Sequence, residues 1–183
     1  ALTMVVFVDY QSFLNSDKDG TIIKELAILN TEKSNIDYFL FKPPEDLPNL
    51  PHNFQEQIDW VTRNLHGLSW CDGSESYSKV DTILAETTKN IERVYVKGKR
   101  KKKILEQRMP TKTVIDVQQH SCPSFRELNA LYNNRTCKNH THKVKCSLSN
   151  VQNLSSWYNE HCAAGKLPSQ NCKIGQISLC CFC

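Results

Sequence analysis

The chain has 183 residues, of which 39% are hydrophobic and 23% charged, with a formal net charge of +4 at pH 7. This length fits one domain, or one domain with a tail, and is long enough to bury a sizeable core. No apolar run approaches the length needed to cross a bilayer, so we expect no membrane partner. The N-terminus lacks a signal-peptide pattern, which indicates an intracellular protein or one whose signal has been removed.

The first part of the chain contains short apolar runs bounded by turn residues, which predict strands over residues 3–9, 21–29 and 36–41. Their connections, including a polar turn over 15–20, are short enough for hairpins, so an antiparallel meander is expected. Residues 42–51 are rich in proline, which lacks the N–H that a sheet needs, and predict a loop. A helix ending at Gly67 follows over 54–65, with an apolar face made of Phe54, Ile58, Val61 and Leu65.

The second part alternates helices with strands. Helices are predicted over 76–87, 99–108, 123–132 and 147–161, and strands over 91–96 and 113–117. The helix over 123–132 carries the apolar residues Phe125, Leu128 and Leu131. This order indicates an α/β fold, in which an antiparallel meander and then parallel strands form a mixed sheet flanked by helices. We expect one domain over 1–161 and a loose, cysteine-rich tail over 162–183.

Three soft ligands fall within ten residues in the polar stretch from Cys137 through His140 to Cys146. Zinc is bound by thiolates and imidazoles in a tetrahedral site, and a C-x2-H-x5-C spacing lets one turn supply three of the four ligands. Cys122 and Glu25 are the two candidates for the fourth ligand. Such a site would be structural, and its binding free energy would be part of the folding free energy.

The chain contains nine cysteines, an odd and high number. In an oxidising compartment they would form disulfides, and sequons at Asn134, Asn139 and Asn153 keep a secreted glycoprotein as one hypothesis. Five of the cysteines crowd the chain from Cys162 onward, beyond the apparent core. A reducing compartment is therefore the favoured interpretation, with a cytoplasmic or nuclear location.

A dense basic run is the most uneven feature of the charge distribution. It is interrupted only by Gly98 and consists of Lys97, Lys99, Arg100, Lys101, Lys102 and Lys103. Such a run is typical of phosphate contacts or of a nuclear import signal. The alternative is an ordinary solvated helix face.

From about Met4 to Tyr158 the order of elements, with the run Val6-Phe7-Val8-Asp9 on the first strand, resembles the DnaQ-like 3′–5′ exonucleases of the ribonuclease H-like superfamily. Members of that family hold two divalent metals with an Asp-x-Glu on the first strand, an Asp after the fourth strand, and a His and an Asp near the last helix. Paired metals activate water and stabilise the leaving oxygen. Here the positions of three of the acids are taken by Gln11, Lys97 and Asn150. We therefore expect a degenerate exonuclease fold.

A narrower resemblance is to the Maelstrom domain, a ribonuclease H-like fold that lacks the exonuclease acids and carries a Glu-Cys-His-Cys zinc set. Glu25 lies in a similar strand, and Cys137, His140 and Cys146 have the same spacing. Cys122 has no counterpart in that pattern. This resemblance implies a role with nucleic acid, foremost single-stranded RNA in silencing. Candidate side chains for base stacking are Tyr10, Phe13, Trp70 and Tyr77, each of which is alternatively a core residue.

Three functions follow as hypotheses. The first is a zinc-stabilised binding module, without catalytic residues, for RNA, single-stranded DNA or a protein partner. The second is an active nuclease that depends on Mg²⁺ or Mn²⁺ and uses Asp9 with unorthodox ligands, namely Glu25, Asp59 or Asp116. The third is the secreted, disulfide-bonded glycoprotein.

Overall fold

The structure is a computed structural model, which describes residues 4–15, 20–134, 136–140 and 145–162. Its strands are β1 (Val6–Asn15), β2 (Gly20–Asn30), β3 (Asn35–Leu40), β4 (Arg93–Val96) and β5 (Thr113–Asp116). Its α-helices are α1 (His52–Val61), α2 (Val80–Thr87), α3 (Lys99–Arg108), α4 (Phe125–Tyr132) and α5 (Ser147–His161). The predicted bounds of α3 and α5 match those of the structure, and the predicted tail from residue 163 onward lies outside the described residues.

A single five-stranded sheet has the order β3-β2-β1-β4-β5. The first three strands pair antiparallel, whereas β4 pairs parallel with both β1 and β5. Parallel neighbours need crossover connections, and these are supplied by the helical segments between β3 and β4 and between β4 and β5. The predicted α/β class, with an antiparallel meander followed by parallel strands, is confirmed.

Both faces of the sheet are covered because successive side chains of a strand point to opposite sides. On one face Val6, Val8 and Leu26 pack against apolar residues of α2 and α3. On the other face Phe7 and Ala27 pack against α4 and α5. A third cluster joins Phe13 near the end of β1 with Phe54 and Ile58 of α1 and with Trp70. The sheet is thus the middle layer of three, and polar residues in its strands are buried.

Two of the predicted apolar faces include, near the C-terminal end of the helix, a residue that is exposed in the structure. The helix predicted over 54–65 is α-helical only to Val61 and continues as a π turn over Thr62–His66. The wider turn changes the rotational phase of the side chains, which leaves Leu65 38% exposed. Leu131, one turn after the buried Leu128 of α4, is 66% exposed.

Two other elements also differ from their predicted bounds. Of the helix predicted over 76–87, the first part is a 3-10 turn at Tyr77–Lys79, and α2 follows it. The strand β1 extends to Asn15, well beyond the predicted residue 9, because it pairs with β2 along its whole length. Most of the predicted turn over 15–20 lies outside the described residues.

An irregularity in β2 separates Lys24 from Glu25. Gln11 pairs with Glu25 and Ser12 with Ile23, so Lys24 has no partner in β1, as expected at a β-bulge. The Lys24 ammonium is buried and donates to the carbonyl oxygens of Phe41 at 2.8 Å and Trp70 at 2.6 Å, and also to that of Asp72. Burial lowers the pKa of Lys24 to about 8. This lysine ties the loop after α1 to the end of β3.

The same loop depends on Gly73. Its φ of +136° lies in a region that other residues rarely adopt, and a Cβ there would meet the backbone carbon of Phe41 at 2.3 Å. The close approach permits the parallel bridge between Phe41 and Glu75. No helix in the described part of the chain is both long enough and apolar enough to cross a membrane.

Candidate functional site

Glu25 is the centre of a buried polar cluster on the face of the sheet covered by α5. Its side chain is fully buried, and its Oε2 accepts a hydrogen bond of 3.0 Å from the backbone N–H of Ser147, the first residue of α5. The positive end of a helix dipole stabilises a carboxylate at this position. The N-terminus of α5 therefore fixes one oxygen of Glu25 and leaves the other for the residues opposite.

The three residues of the C-x2-H-x5-C motif surround that second oxygen. Glu25 Oε1 lies 2.7 Å from His140 Nε2 and 3.5 Å from Cys137 Sγ, and Cys146 Sγ lies 3.6 Å from Cys137 Sγ. All four potential ligand atoms lie within 4.8 Å of one another. Tetrahedral zinc with its usual bond lengths requires separations of about 3.3–3.8 Å between ligand atoms. The thiol separations already match, and the Glu–His pair would open by less than about 1 Å by the same geometry. The group could hold a metal ion such as zinc.

The ligand groups are oriented by further hydrogen bonds. His140 Nδ1 donates to the carbonyl of His66 at 2.6 Å, which leaves Nε2 facing Glu25 and the thiols. Gly67, with a φ of 73°, turns the chain directly after that carbonyl. The Tyr38 hydroxyl lies 2.8 Å from Glu25 Oε1 and 3.4 Å from Cys137 Sγ. Metal-binding histidines commonly donate their other ring N–H in this way, and such contacts fix the tautomer.

The pKa shifts of the ligand groups run in opposite directions, since the hydrogen bond with Cys137, together with burial, raises the pKa of the Cys146 thiol. Hydrogen bonding from the Cys146 thiol lowers the pKa of the Cys137 thiol, which favours the thiolate that binds metals. Burial lowers the pKa of His140, but hydrogen bonds with Cys137 and Glu25 outweigh burial and raise it to about 10. Because ligands must be deprotonated, a metal would displace a proton from His140.

Cys122, the other candidate for the fourth ligand, lies elsewhere. It packs in the apolar cluster of α4 and α5 together with Cys162 and Trp157, and it is not part of the ligand group. Burial raises the pKa of its thiol to about 12, so the thiol is neutral at pH 7. The structure thus places Glu25, and not Cys122, beside the three residues of the motif.

Asp9 forms the centre of a second buried polar cluster on the same sheet. It is fully buried, forms an ion pair through Oδ1 with Lys101 of α3, and accepts a hydrogen bond of 2.8 Å through Oδ2 from Asn150 of α5. The Lys101 ammonium also lies 5.4 Å from the ring centre of Tyr10 and 5.6 Å from that of Phe125. The charge of this carboxylate is therefore compensated by a lysine of the same chain.

The acids proposed to assist Asp9 in an active nuclease do not join it. Glu25 belongs to the metal-ligand group, and Asp59 of α1 is 55% exposed and pairs with Arg63 of the π turn. Asp116 accepts hydrogen bonds from the backbone N–H groups of Gly98 at 2.8 Å and Gln118 at 3.0 Å. Among the described residues, Asp9 is not part of any group of three or more potential metal ligands.

The basic run divides into buried and exposed members. Lys97, expected to contact phosphate, is only 8% exposed, and its ammonium donates to the carbonyl of Cys122 at 3.1 Å, so that prediction is wrong. Lys101 pairs with Asp9, and Lys102 pairs with Glu106 at 3.2 Å. A cleft of about 750 Å³ runs along this helix, and its cationic lining residues are Lys99, Arg100, Lys102 and Lys103.

Most of the proposed stacking residues belong to the core. Tyr10, Phe13 and Trp70 are at most 3% exposed, and Phe13 and Trp70 pack edge to face at 5.2 Å. Tyr77 is half-buried, with its ring 6.4 Å from that of Phe41. Their use as stacking platforms is therefore wrong for the three buried residues, because they are held between the sheet and its covering segments.

Of the features that suggested secretion, the sequon asparagines have structural roles. All five cysteines in the described ranges, including the exposed Cys71, are free thiols. The asparagines of the three sequons make hydrogen bonds within the chain: Asn153 is fully buried, Asn134 donates to it at 2.8 Å, and Asn139 donates to the Tyr38 hydroxyl at 3.1 Å. A glycan on Asn153 would require this part of α5 to unfold.

Comparisons with known proteins give no independent identification of the domain. No family model matches the chain, and no curated protein is significantly similar to it. The assignment of function therefore depends on the geometry of the two polar clusters and of the basic helix.

Sequence reasoning missed Tyr38, the carbonyl of His66 and the amide of Ser147. Of these, only Tyr38 leaves a signal in the sequence. It pairs with Ala27 across β2 and β3, which places it diagonally next to Glu25 on the same face. The two backbone groups carry no signal, because any residue type supplies them.

Proposed function

We propose that this chain is a ribonuclease H-like domain that has lost the two-metal nuclease site, is stabilised by zinc, and binds single-stranded RNA. The arrangement of an antiparallel meander followed by parallel strands agrees with the fold that the resemblance to exonucleases implies. The ligand group of Glu25, Cys137, His140 and Cys146 agrees with the zinc set of the Maelstrom domain. Its residues come from β2, from a loop and from the start of α5, so zinc bound there would join these three segments.

The observation that carries the proposal is that α3 places cations both beside Asp9 and along the cleft. Its Lys101 supplies the cation beside Asp9, where a nuclease of this kind would need metal ions. Four of its other cations, Lys99, Arg100, Lys102 and Lys103, line the cleft of about 750 Å³, whereas Arg108 pairs with Asp81. A carboxylate paired with lysine supports loss of hydrolysis, because two-metal catalysis needs several converging carboxylates. A row of lysine and arginine residues supports retention of phosphate binding.

The test is binding of a fluorescent single-stranded RNA, measured by anisotropy at several salt concentrations on the full chain. Affinity should fall with salt, and the slope on logarithmic axes should decrease by about 0.7 for each phosphate that a variant no longer neutralises. We expect Lys99→Gln and Lys103→Gln each to weaken binding and lower this slope. Lys89→Gln, which removes an exposed lysine at the end of α2, serves as the control and should change neither value.

Two further ligands and a cleavage assay distinguish RNA binding from the alternative functions. Single-stranded DNA of the same sequence shows whether the cleft distinguishes RNA, and a duplex shows whether it needs unpaired bases. Incubation of the RNA with Mg²⁺ or Mn²⁺ should leave it intact. Cleavage that disappears in Asp9→Ala would establish the nuclease hypothesis, and binding that is absent at low salt would leave a protein partner as the ligand of this surface.

A further inference from the structure

A small pocket of about 180 Å³ lies between the two polar clusters. It is lined by residues of β1, of the π turn after α1 and of the first turn of α3. Three of its lining side chains are cationic, Arg100 and Lys101 from α3 and Lys145 from the segment before α5. Within the described parts of the chain, no acidic residue lines this pocket. It is distinct from the larger cleft, although Arg100 borders both.

The charges at this pocket are unfavourable for the isolated protein. The N-terminal end of a helix is positive, and acidic residues are stabilising there. The first turn of α3 contains no acidic residue and instead carries Lys99, Arg100 and Lys101, while Gly98 provides no side-chain cap. Residues that break such a local rule are expected at functional sites. Asp116 already accepts a hydrogen bond of 2.8 Å from the backbone N–H of Gly98 at the start of this helix, so an anion in the pocket would compensate the lining side chains.

The net charge of the pocket can be counted from its neighbours. Of the three lining cations, Lys101 is offset by Asp9, which is fully buried and does not line the pocket. Arg100 and Lys145 therefore provide two positive charges. A terminal phosphate monoester carries about −1.5 to −2 at pH 7, whereas a phosphodiester within a chain carries one negative charge. The charge thus matches a monoester more closely.

The size and the walls of the pocket point to the same ligand. Pockets for drug-sized molecules measure roughly 300–1,000 Å³, so a volume of about 180 Å³ suits a single small group. The planar guanidinium of Arg100 can bind two phosphate oxygens at once. Gln11 and Ser12 add polar side chains, and Leu14, Val61 and Leu65 form an apolar part of the lining. The exposed side of Leu65 would then contact the sugar or base that carries the phosphate.

We infer that this pocket binds the terminal phosphate monoester of a single-stranded nucleic acid. The inference rests on the proposed function, since the remainder of the strand would follow the cationic cleft along α3. The pocket gives the strand a defined end and therefore a direction. The pocket would distinguish strands by the chemical group at their end, while the cleft would contact only the sugar-phosphate backbone.

The test compares three RNA oligonucleotides of one sequence, carrying a 5′ phosphate, a 3′ phosphate or hydroxyl groups at both ends. On the wild-type chain one of the two phosphates should raise affinity by about tenfold, which is the effect of one charge-assisted contact. Arg100→Gln and Lys145→Gln should remove this gain. Lys103→Gln, on the same helix but outside the pocket, should weaken all three oligonucleotides equally and keep the gain. Thermal melts of each variant verify folding.

The outcomes separate this inference from the proposed function. Equal affinity of the wild type for all three oligonucleotides would overturn the pocket while RNA binding stands. No binding of any oligonucleotide would overturn both. The last measurement uses inorganic phosphate. It should raise the melting temperature of the wild type, and Arg100→Gln should abolish this rise. Stabilisation by inorganic phosphate without any gain from a phosphorylated end would show a site for free phosphate, contrary to the inference.

Discussion

Asp9 and Glu25 differ in what compensates them, although both are fully buried carboxylates in neighbouring strands of the sheet. Asp9 meets a lysine ammonium and a carboxamide, which leave its charge balanced within the chain. Glu25 accepts a hydrogen bond from a helix N-terminus, and together with a histidine and two thiols it forms a group that could hold a metal ion. The comparison teaches that the type of a buried acid does not determine its role. The role is determined by the side chains that distant helices and loops place around the acid.

The largest difference between the two clusters should appear on removal of a metal ligand. Cys137→Ser should abolish metal binding and lower the free energy of unfolding on the order of 4 kcal/mol, the stabilisation given by free metal at about a thousand times its Kd. Elemental analysis and urea unfolding of protein purified without added metal provide the measurements. Chelation of the wild type should have the same effect on stability.

The matched control is Cys71→Ser, because Cys71 is an exposed free thiol outside the ligand group. It should keep the metal and the stability of the wild type. A wild-type chain that contains no metal after purification, and whose unfolding is unchanged by chelator or added zinc, would contradict the proposed zinc site.

The second prediction concerns the internal ion pair. Lys101→Met should lower the free energy of unfolding by roughly 3 kcal/mol, because a buried carboxylate loses its compensating charge. The double variant Asp9→Asn, Lys101→Met should recover most of this loss, since it removes the charge together with its partner. Urea unfolding of the two single variants and the double variant measures the coupling. A double variant whose loss of stability equals the sum of the losses of the two single variants would show that Lys101 does not compensate Asp9.

The third prediction concerns a variant in which the Asp9 cluster should bind a metal ion, as proposed for the Glu25 cluster. Asn150→Asp together with Lys101→Ala removes the internal cation and places a second carboxylate beside Asp9. Mn²⁺ at about ten times its Kd should then stabilise the variant by about 1.4 kcal/mol. The wild type, supplied with the same zinc as the variant, serves as the control and should not respond. An equal response of both proteins would place the Mn²⁺ site elsewhere.

Local patterns in the sequence were sufficient for the elements and for three of the four ligands. The helices α3 and α5 have the predicted bounds. For α3 these bounds could be predicted because Gly98 precedes the helix and Pro110, which cannot continue a helix, follows it closely. Cys137, His140 and Cys146 could be recognised because their spacing within one loop is itself the signal. The π turn after α1, by contrast, leaves no pattern, and the exposure of Leu65 was missed with it.

What the sequence determined by itself is therefore the order of strands and helices, the mixed α/β class and the motif that could hold a metal. Tertiary structure alone decided that Glu25 completes this motif, that Lys97 is buried and that Lys101 neutralises Asp9. The physical reason is that each of these contacts joins residues far apart in the chain. Their distances are set by the packing of α3 and α5 on the sheet, which no local pattern encodes.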